Sequence, residues 1–127
     1  MSVVLDADVL IGALDSSDPH HAQARTLFRG WRRRNTTRMI SVVNLTEVLV
    51  APAADRRKLR AAREAIAALG IAVHQPNEAI GVDAACLRSV HPVTLPDAHS
   101  LATARYTAAE DEGVAVTKRA ARQPRKR

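Results

Sequence analysis

Short apolar runs alternate along this chain with longer stretches in which apolar residues recur every three or four positions. The first run, Ser2-Val3-Val4-Leu5, is closed by Asp6. A run this short, bounded by a polar residue, predicts a strand. Similar signals predict strands around Met39 and Ile40, over Ile71-Ala72-Val73-His74, and over Val114-Ala115-Val116-Thr117. The stretches between them carry helical periodicity. Residues 6–15 place Val9, Leu10, Ala13 and Leu14 on one face. A second helix is expected from Pro19 to about Arg34, with Pro in its first turn and Ala22, Leu27 and Trp31 buried. Further helices are expected over residues 42–49, over 55–69 with Gly70 as C-cap, over 76–90, and over 96–112 with Gly113 closing it. Strands joined through helices imply a parallel sheet covered on both faces.

Composition narrows this to an α/β/α sandwich on a small sheet. A chain of 127 residues suits one core. Its aromatic residues are Phe28, Trp31 and Tyr106, so the core is built from Ala, Val, Leu and Ile. Residues 1–117 are expected to form the domain, with 118–127 a basic and loose tail. The opening residues lack the basic region of a signal peptide, and no apolar run reaches the length of a membrane span. Cys86 stands alone in an Ala-rich helical pattern, where it reads as a small core residue. A lone cysteine forms no internal disulfide and suits a cytoplasmic setting.

The formal net charge is +6, and the basic residues are clustered. One group runs from Arg29 to Arg38 and includes Arg33 and Arg34; a second runs from Arg56 to Arg63; a third occupies Lys118 to Arg127. Arginine dominates, and its planar fork suits phosphate. These clusters fit a nucleic-acid backbone, and equally a set of solvated helix faces. With so few aromatics, base stacking is not the main source of affinity.

Three carboxylates give the chemistry. Asp6 follows the first strand, Glu47 lies in the helix after the second, and Asp97 follows Pro96 at a helix start. In an open α/β sheet the carboxyl ends of the strands line the ligand crevice. Acids gathered there repel one another unless a hard cation lies between them, which suggests Mg²⁺ or Mn²⁺. Asp8 adds a fourth acid nearby. Each also has a structural reading. Asp6 suits a helix N-cap, Asp97 a first-turn acid, and Asn44-Leu45-Thr46-Glu47 a capping box. His20 and His21 read as exposed, and His99 as a rim residue.

The segments Val3 to Ile11, Ser41 to Leu49 and Leu95 to Ala104 together resemble PIN-domain proteins, and among them the VapC toxins of bacterial toxin–antitoxin pairs. Each segment alone is weak; their order and spacing are distinctive. The resemblance implies a PIN-like three-layer sandwich and metal-dependent endoribonuclease activity. It implies Asp6 and Asp97 as principal Mg²⁺ or Mn²⁺ ligands, and Glu47 as a ligand or a positioner of water. Asp8 and Thr117 would lie behind them, and Lys118, Arg119, Arg33 and Arg34 would contact RNA. It further implies a small antitoxin as partner, and a homodimer.

One position departs from the family pattern. The last strand usually ends in Thr-x-Asp, whereas here Thr117-Lys118-Arg119 places a guanidinium where the fourth acid stands. Arg119 would repel a cation or grip a phosphate. An RNA- or antitoxin-binding module that does not cut is therefore the alternative. Asp6-Ala7-Asp8 also resembles the opening of haloacid-dehalogenase phosphatases, with Ser41 and Lys118 as later motifs. That reading lacks the late acidic pair and leaves Glu47 and Asp97 unexplained.

Overall fold

The computed structural model describes residues 1–109. The predicted strand at 114–117, the Gly113 closure, Asp111, Glu112, Thr117, Lys118 and Arg119 lie outside the described residues.

Among the described residues three parallel strands, β1 (Ser2–Leu5), β2 (Thr37–Ser41) and β3 (Ile71–His74), lie in the order β1-β2-β3. Val3 pairs with Arg38 and Leu5 with Ile40, while Ser41 pairs with His74, so the carboxyl ends of the strands share one edge. Val3 and Leu5 join one buried cluster, and Val4 between them is also fully buried. Both faces of β1 are therefore covered, as a parallel sheet requires.

Among the described residues six α-helices accompany the sheet: α1 (Ala7–Leu14), α2 (His21–Arg33), α3 (Val42–Leu49), α4 (Arg56–Ala68), α5 (Glu78–Val90) and α6 (Leu95–Thr107). The larger core packs Leu5, Leu10, Ile40 and Ile66 around Trp31, whose ring meets Phe28 edge-on at 5.0 Å. A smaller core of Ile80, Ala84, Ala98 and Ala102 joins α5 to α6 through small side chains.

The structure corrects five expectations. α2 begins at His21 instead of Pro19, because two carboxylates build turns first. Asp15 accepts from the backbone N–H and hydroxyl of Ser17, and Asp18 accepts from the backbone N–H of His20. The buried face shifts accordingly, so Ala24 is buried and Ala22 exposed. His21 is half-buried, its Nδ1 lying 2.7 Å from the carbonyl of Gly12. α6 ends at Thr107, because Ala108 turns left-handed at φ 56° and caps it. Cys86 is exposed on α5 and takes no part in the core.

Candidate active site at the carboxyl edge of the sheet

Each acid is placed by a local backbone device. Asp6 ends β1 and is the N-cap of α1, its Oδ1 accepting from the Val9 amide at 3.0 Å. It is only 1% exposed, so this carboxylate is withdrawn from bulk water. The expected capping role is therefore real, and it fixes the side chain at the strand end. Asp8 follows in the first turn of α1 and is exposed. Asp97 sits in the first turn of α6, where Thr94 is the N-cap and accepts from the Asp97 amide at 3.2 Å.

Glu47 does not belong to a capping box. Ser41 caps α3, its hydroxyl accepting from the Val43 amide, so Asn44 is already inside the helix. Asn44 is fully buried instead, and its Nδ2 donates to the carbonyl of Pro96 at 3.2 Å. This bond ties α3 to the start of α6. A second tie holds α6 to the sheet, the Ser100 hydroxyl donating to the carbonyl of Leu5 at 3.5 Å. Asp97 lies one turn ahead of Ser100 on the same helix. Asn44 and Ser100 were not singled out from sequence for these ties. Their signal was a polar residue at an apolar-facing helix position, which marks a buried hydrogen bond only once the fold is known.

The electrostatics report the same gathering. The Glu47 carboxyl is held above the ordinary glutamate range, first by loss of hydration, then by the negative charges of Asp97 and Asp8. The Asn44 amide pulls the other way. Much of the Glu47 side chain reaches solvent, so the dehydration acts at its crowded carboxyl end. Glu47 on α3 thus senses Asp97 on α6 and Asp8 on α1, the helix that Asp6 caps.

No three His, Cys, Asp or Glu side chains among the described residues close on one point as a ready-made metal cage. The donor set still suits Mg²⁺ or Mn²⁺. Mg²⁺ keeps several waters and takes one or two protein carboxylates, so it needs no full cage. The buried Oδ1 of Asn44, without a hydrogen-bond partner, adds an oxygen donor beside the acids. Asp6, Glu47 and Asp97 would hold the ion.

The predicted basic contacts lie elsewhere. Arg33 and Arg34 are exposed at the end of α2, ahead of the amino-terminal end of β2 and so at the opposite edge from the acids. His99 is partly buried, its Nδ1 lying 3.1 Å from the Leu95 carbonyl.

Comparison with known proteins agrees with this architecture. The PIN domain family model matches residues 3–118. The chain belongs to the PIN domain family, and the haloacid-dehalogenase alternative is set aside. Its fold is similar to that of Mycobacterium tuberculosis VapC20, a toxin that cleaves the sarcin–ricin loop. That match has a TM-score of 0.69 and 18% identity, over 91% of this chain and 94% of the other. A toxin–antitoxin complex from Klebsiella pneumoniae gives a TM-score of 0.68 and 24% identity, covering 87% of this chain and 82% of the other. VapBC2 from Rickettsia felis, solved with a fragment of promoter DNA, gives 0.59 and 14%, covering 81% and 82%. No curated protein matches this chain in sequence. No helix among the described residues is long and apolar enough to cross a membrane.

Proposed function

We propose that this chain is a divalent-metal-dependent endoribonuclease, the toxin of a toxin–antitoxin pair, held in check by a small antitoxin protein and assembling as a homodimer. The observation that carries the reading is that Glu47 on α3 feels the charges of Asp97 on α6 and of Asp8 on α1, the helix that starts at Asp6 where β1 ends. Packing like charges from three helices costs folding energy, and a bound cation relieves that cost. The PIN family membership and the toxins among its structural relatives support the reaction class.

When bound, Mg²⁺ or Mn²⁺ supplies Lewis acidity toward the phosphodiester and a more acidic water. The chain's own residues do the rest. Asp6 and Asp97 hold the cation in place, Asp6 from the rigid strand end and Asp97 from the Thr94-capped turn. Glu47 either ligates or accepts a hydrogen bond from the attacking water; its raised affinity for a proton suits the second role. Asp8 adds negative charge from the side, and Thr117 would stand behind the ligands. Lys118, Arg119, Arg33 and Arg34 would grip RNA phosphates, Arg119 compensating in binding for the acid it replaces.

A second reading follows from Arg119: a PIN-fold module that binds RNA or antitoxin without cutting. The two separate cleanly. Purified protein is incubated with defined structured RNAs and Mg²⁺ or Mn²⁺, alongside EDTA and the Asp6→Asn variant. Cleavage that vanishes in both controls establishes the nuclease. Binding without cleavage in any metal removes it.

A further inference from the structure

The aromatic residues of the chain are Phe28, Trp31 and Tyr106. Phe28 and Trp31 are buried in the larger core, whereas Tyr106, in the last turn of α6, is 56% exposed. The Tyr106 ring meets His74 of β3, with ring centres 6.4 Å apart and planes at 64°. That separation lies within the range of an edge-to-face pair. His74 is half-buried, and its Nδ1 is buried without a hydrogen-bond partner. Packing of the ring, and no bond of that nitrogen, holds the imidazole in place.

The pair stands on the same edge of the sheet as the acids. Ser41 pairs with His74 and Leu5 with Ile40, so Asp6, the residue after Leu5, is level with Ser41. Asp6, Ser41 and His74 therefore end three neighbouring strands side by side. Two strand spacings, about 10 Å, separate the first from the last. Tyr106 reaches His74 from the side of α6 that faces away from Asp97. The nine positions between them turn the helix by about half a revolution, so the two side chains leave it on opposite sides. A phosphate held by the acids does not touch these rings; they lie further along a strand that leaves it.

The surroundings of the pair are neutral. Gln75-Pro76-Asn77, which joins β3 to α5, carries no charge. Arg105, beside Tyr106 in sequence, is paired with Asp83 of α5 at 3.0 Å.

We propose that His74 and Tyr106 form a subsite for one unpaired nucleobase of the RNA strand, and that this subsite sets which phosphodiester comes to rest at the acids. The inference rests on reading the chain as an RNA-cleaving protein and deepens it by naming what selects the bond. The occupant follows from the chemistry of the pair. Every base has a flat π-face that stacks on an aromatic ring, and unpaired bases are the ones free to do so. A phosphate finds no unpaired cation among these residues. A stable contact with a second copy of the chain takes about 800 Å² per partner. Two partly covered rings, each of at most roughly 250 Å², supply less. One ring pair holds one base, so its effect is on register along the strand more than on grip.

The test is binding of a single-stranded RNA in EDTA, with 2-aminopurine placed at one position after another, so that cleavage plays no part. Stacking on a ring quenches its fluorescence. The proteins are wild type, Tyr106→Phe, Tyr106→Leu, Tyr106→Ala and His74→Ala, with circular dichroism melting to confirm that each folds. Wild type and Tyr106→Phe are expected to quench the probe at a preferred position. The other three lose that quenching, and Tyr106→Ala binds about tenfold more weakly, as loss of one stacked base produces. The salt slope stays unchanged, since no charge is removed. Quenching at no position would overturn the proposal. So would full quenching and affinity in Tyr106→Leu, which keeps apolar bulk without a ring, or in His74→Ala. Sedimentation in which Tyr106→Ala dissociates a wild-type dimer, with RNA affinity unchanged, would assign the ring to contact between copies and overturn it too. In Mg²⁺, Tyr106→Ala is expected to shift the positions of the cuts, whereas Asp6→Asn removes them all. If wild type quenches the probe and cuts nothing with metal, the subsite stands as a base-binding site and the nuclease reading falls.

Discussion

The carboxamide of Asn44 donates to the carbonyl of Pro96 across 3.2 Å, joining residues 52 positions apart. It locks the helix carrying Glu47 to the turn carrying Asp97. The separation of the two acids is thus set by a neutral residue buried between them.

Asn44→Ala removes that donor and leaves a cavity. Loss of about 1–3 kcal/mol in urea denaturation is expected. Asn44→Asp is expected to be worse at neutral pH, because it buries a further negative charge beside Glu47 and Asp97. The two variants compared at pH 4 and pH 7 separate the lost bond from the added charge.

Glu47 makes the metal-free protein less stable as pH rises. Its carboxyl binds a proton more tightly folded than unfolded, mainly through dehydration and then through Asp97 and Asp8. The penalty is absent below the unfolded pKa, grows as pH climbs toward the raised folded pKa, and is complete above it. Glu47→Gln is therefore expected to raise the melting temperature in EDTA at pH 7, with the gain shrinking toward pH 4. Melting curves across that range check the sign; a Glu47→Gln protein less stable than wild type at pH 7 contradicts it.

Divalent metal should reverse the effect. Mn²⁺ or Mg²⁺ is expected to raise the melting temperature of wild type, since a ligand that binds only the folded state stabilises it. The shift should shrink in Glu47→Gln and Asp97→Asn. A wild-type shift no larger than that of the variants would separate the acids from metal binding.

Asp6 offers a split between folding and chemistry. Asparagine caps helices as well as aspartate does, whereas alanine at an N-cap costs about 1 kcal/mol. Asp6→Asn should keep near-native stability, Asp6→Ala should lose it, and both should lose cleavage. Thermal melts with an RNA cleavage assay read the two effects side by side.

Gly70 ends α4 at φ +70°, and a Cβ there would come within 2.7 Å of the Arg38 guanidinium. The guanidinium lies at the end of a flexible chain and can move, so the backbone carries most of the cost. Gly70→Ala should destabilise by about 1–2 kcal/mol, read by chemical denaturation.

Much of this was legible in the chain itself. The strands at Ser2–Leu5 and Ile71–His74 stand where the short apolar runs place them. Asp6 as a cap and Asp97 in a first turn follow from local preference. The errors arose where side chains compete with the helix for backbone partners. Asp15 and Asp18 spend their carboxylates on turns and delay α2, which moves burial from Ala22 to Ala24. Ser41, and not Asn44, caps α3 because the strand ends there. The topology predicts Asp6, Glu47 and Asp97 on one sheet edge with Asp8 in reach, and the charges that Glu47 feels are those of Asp97 and Asp8. Asn44 and Ser100, which hold α3 and α6 in place, make contacts across 52 and 95 residues that no local pattern announces.

Asp6 is answerable to two kinds of selection. Its oxygen starts α1, so a lineage that had given up cleavage would still have reason to keep it. Glu47 and Asp97 cap nothing, and relaxed selection would let them drift first. In a comparison among descendants of this chain, Asp6 would persist as a fossil of the fold, and the pair on α3 and α6 would be the positions whose survival tells working enzymes from retired ones.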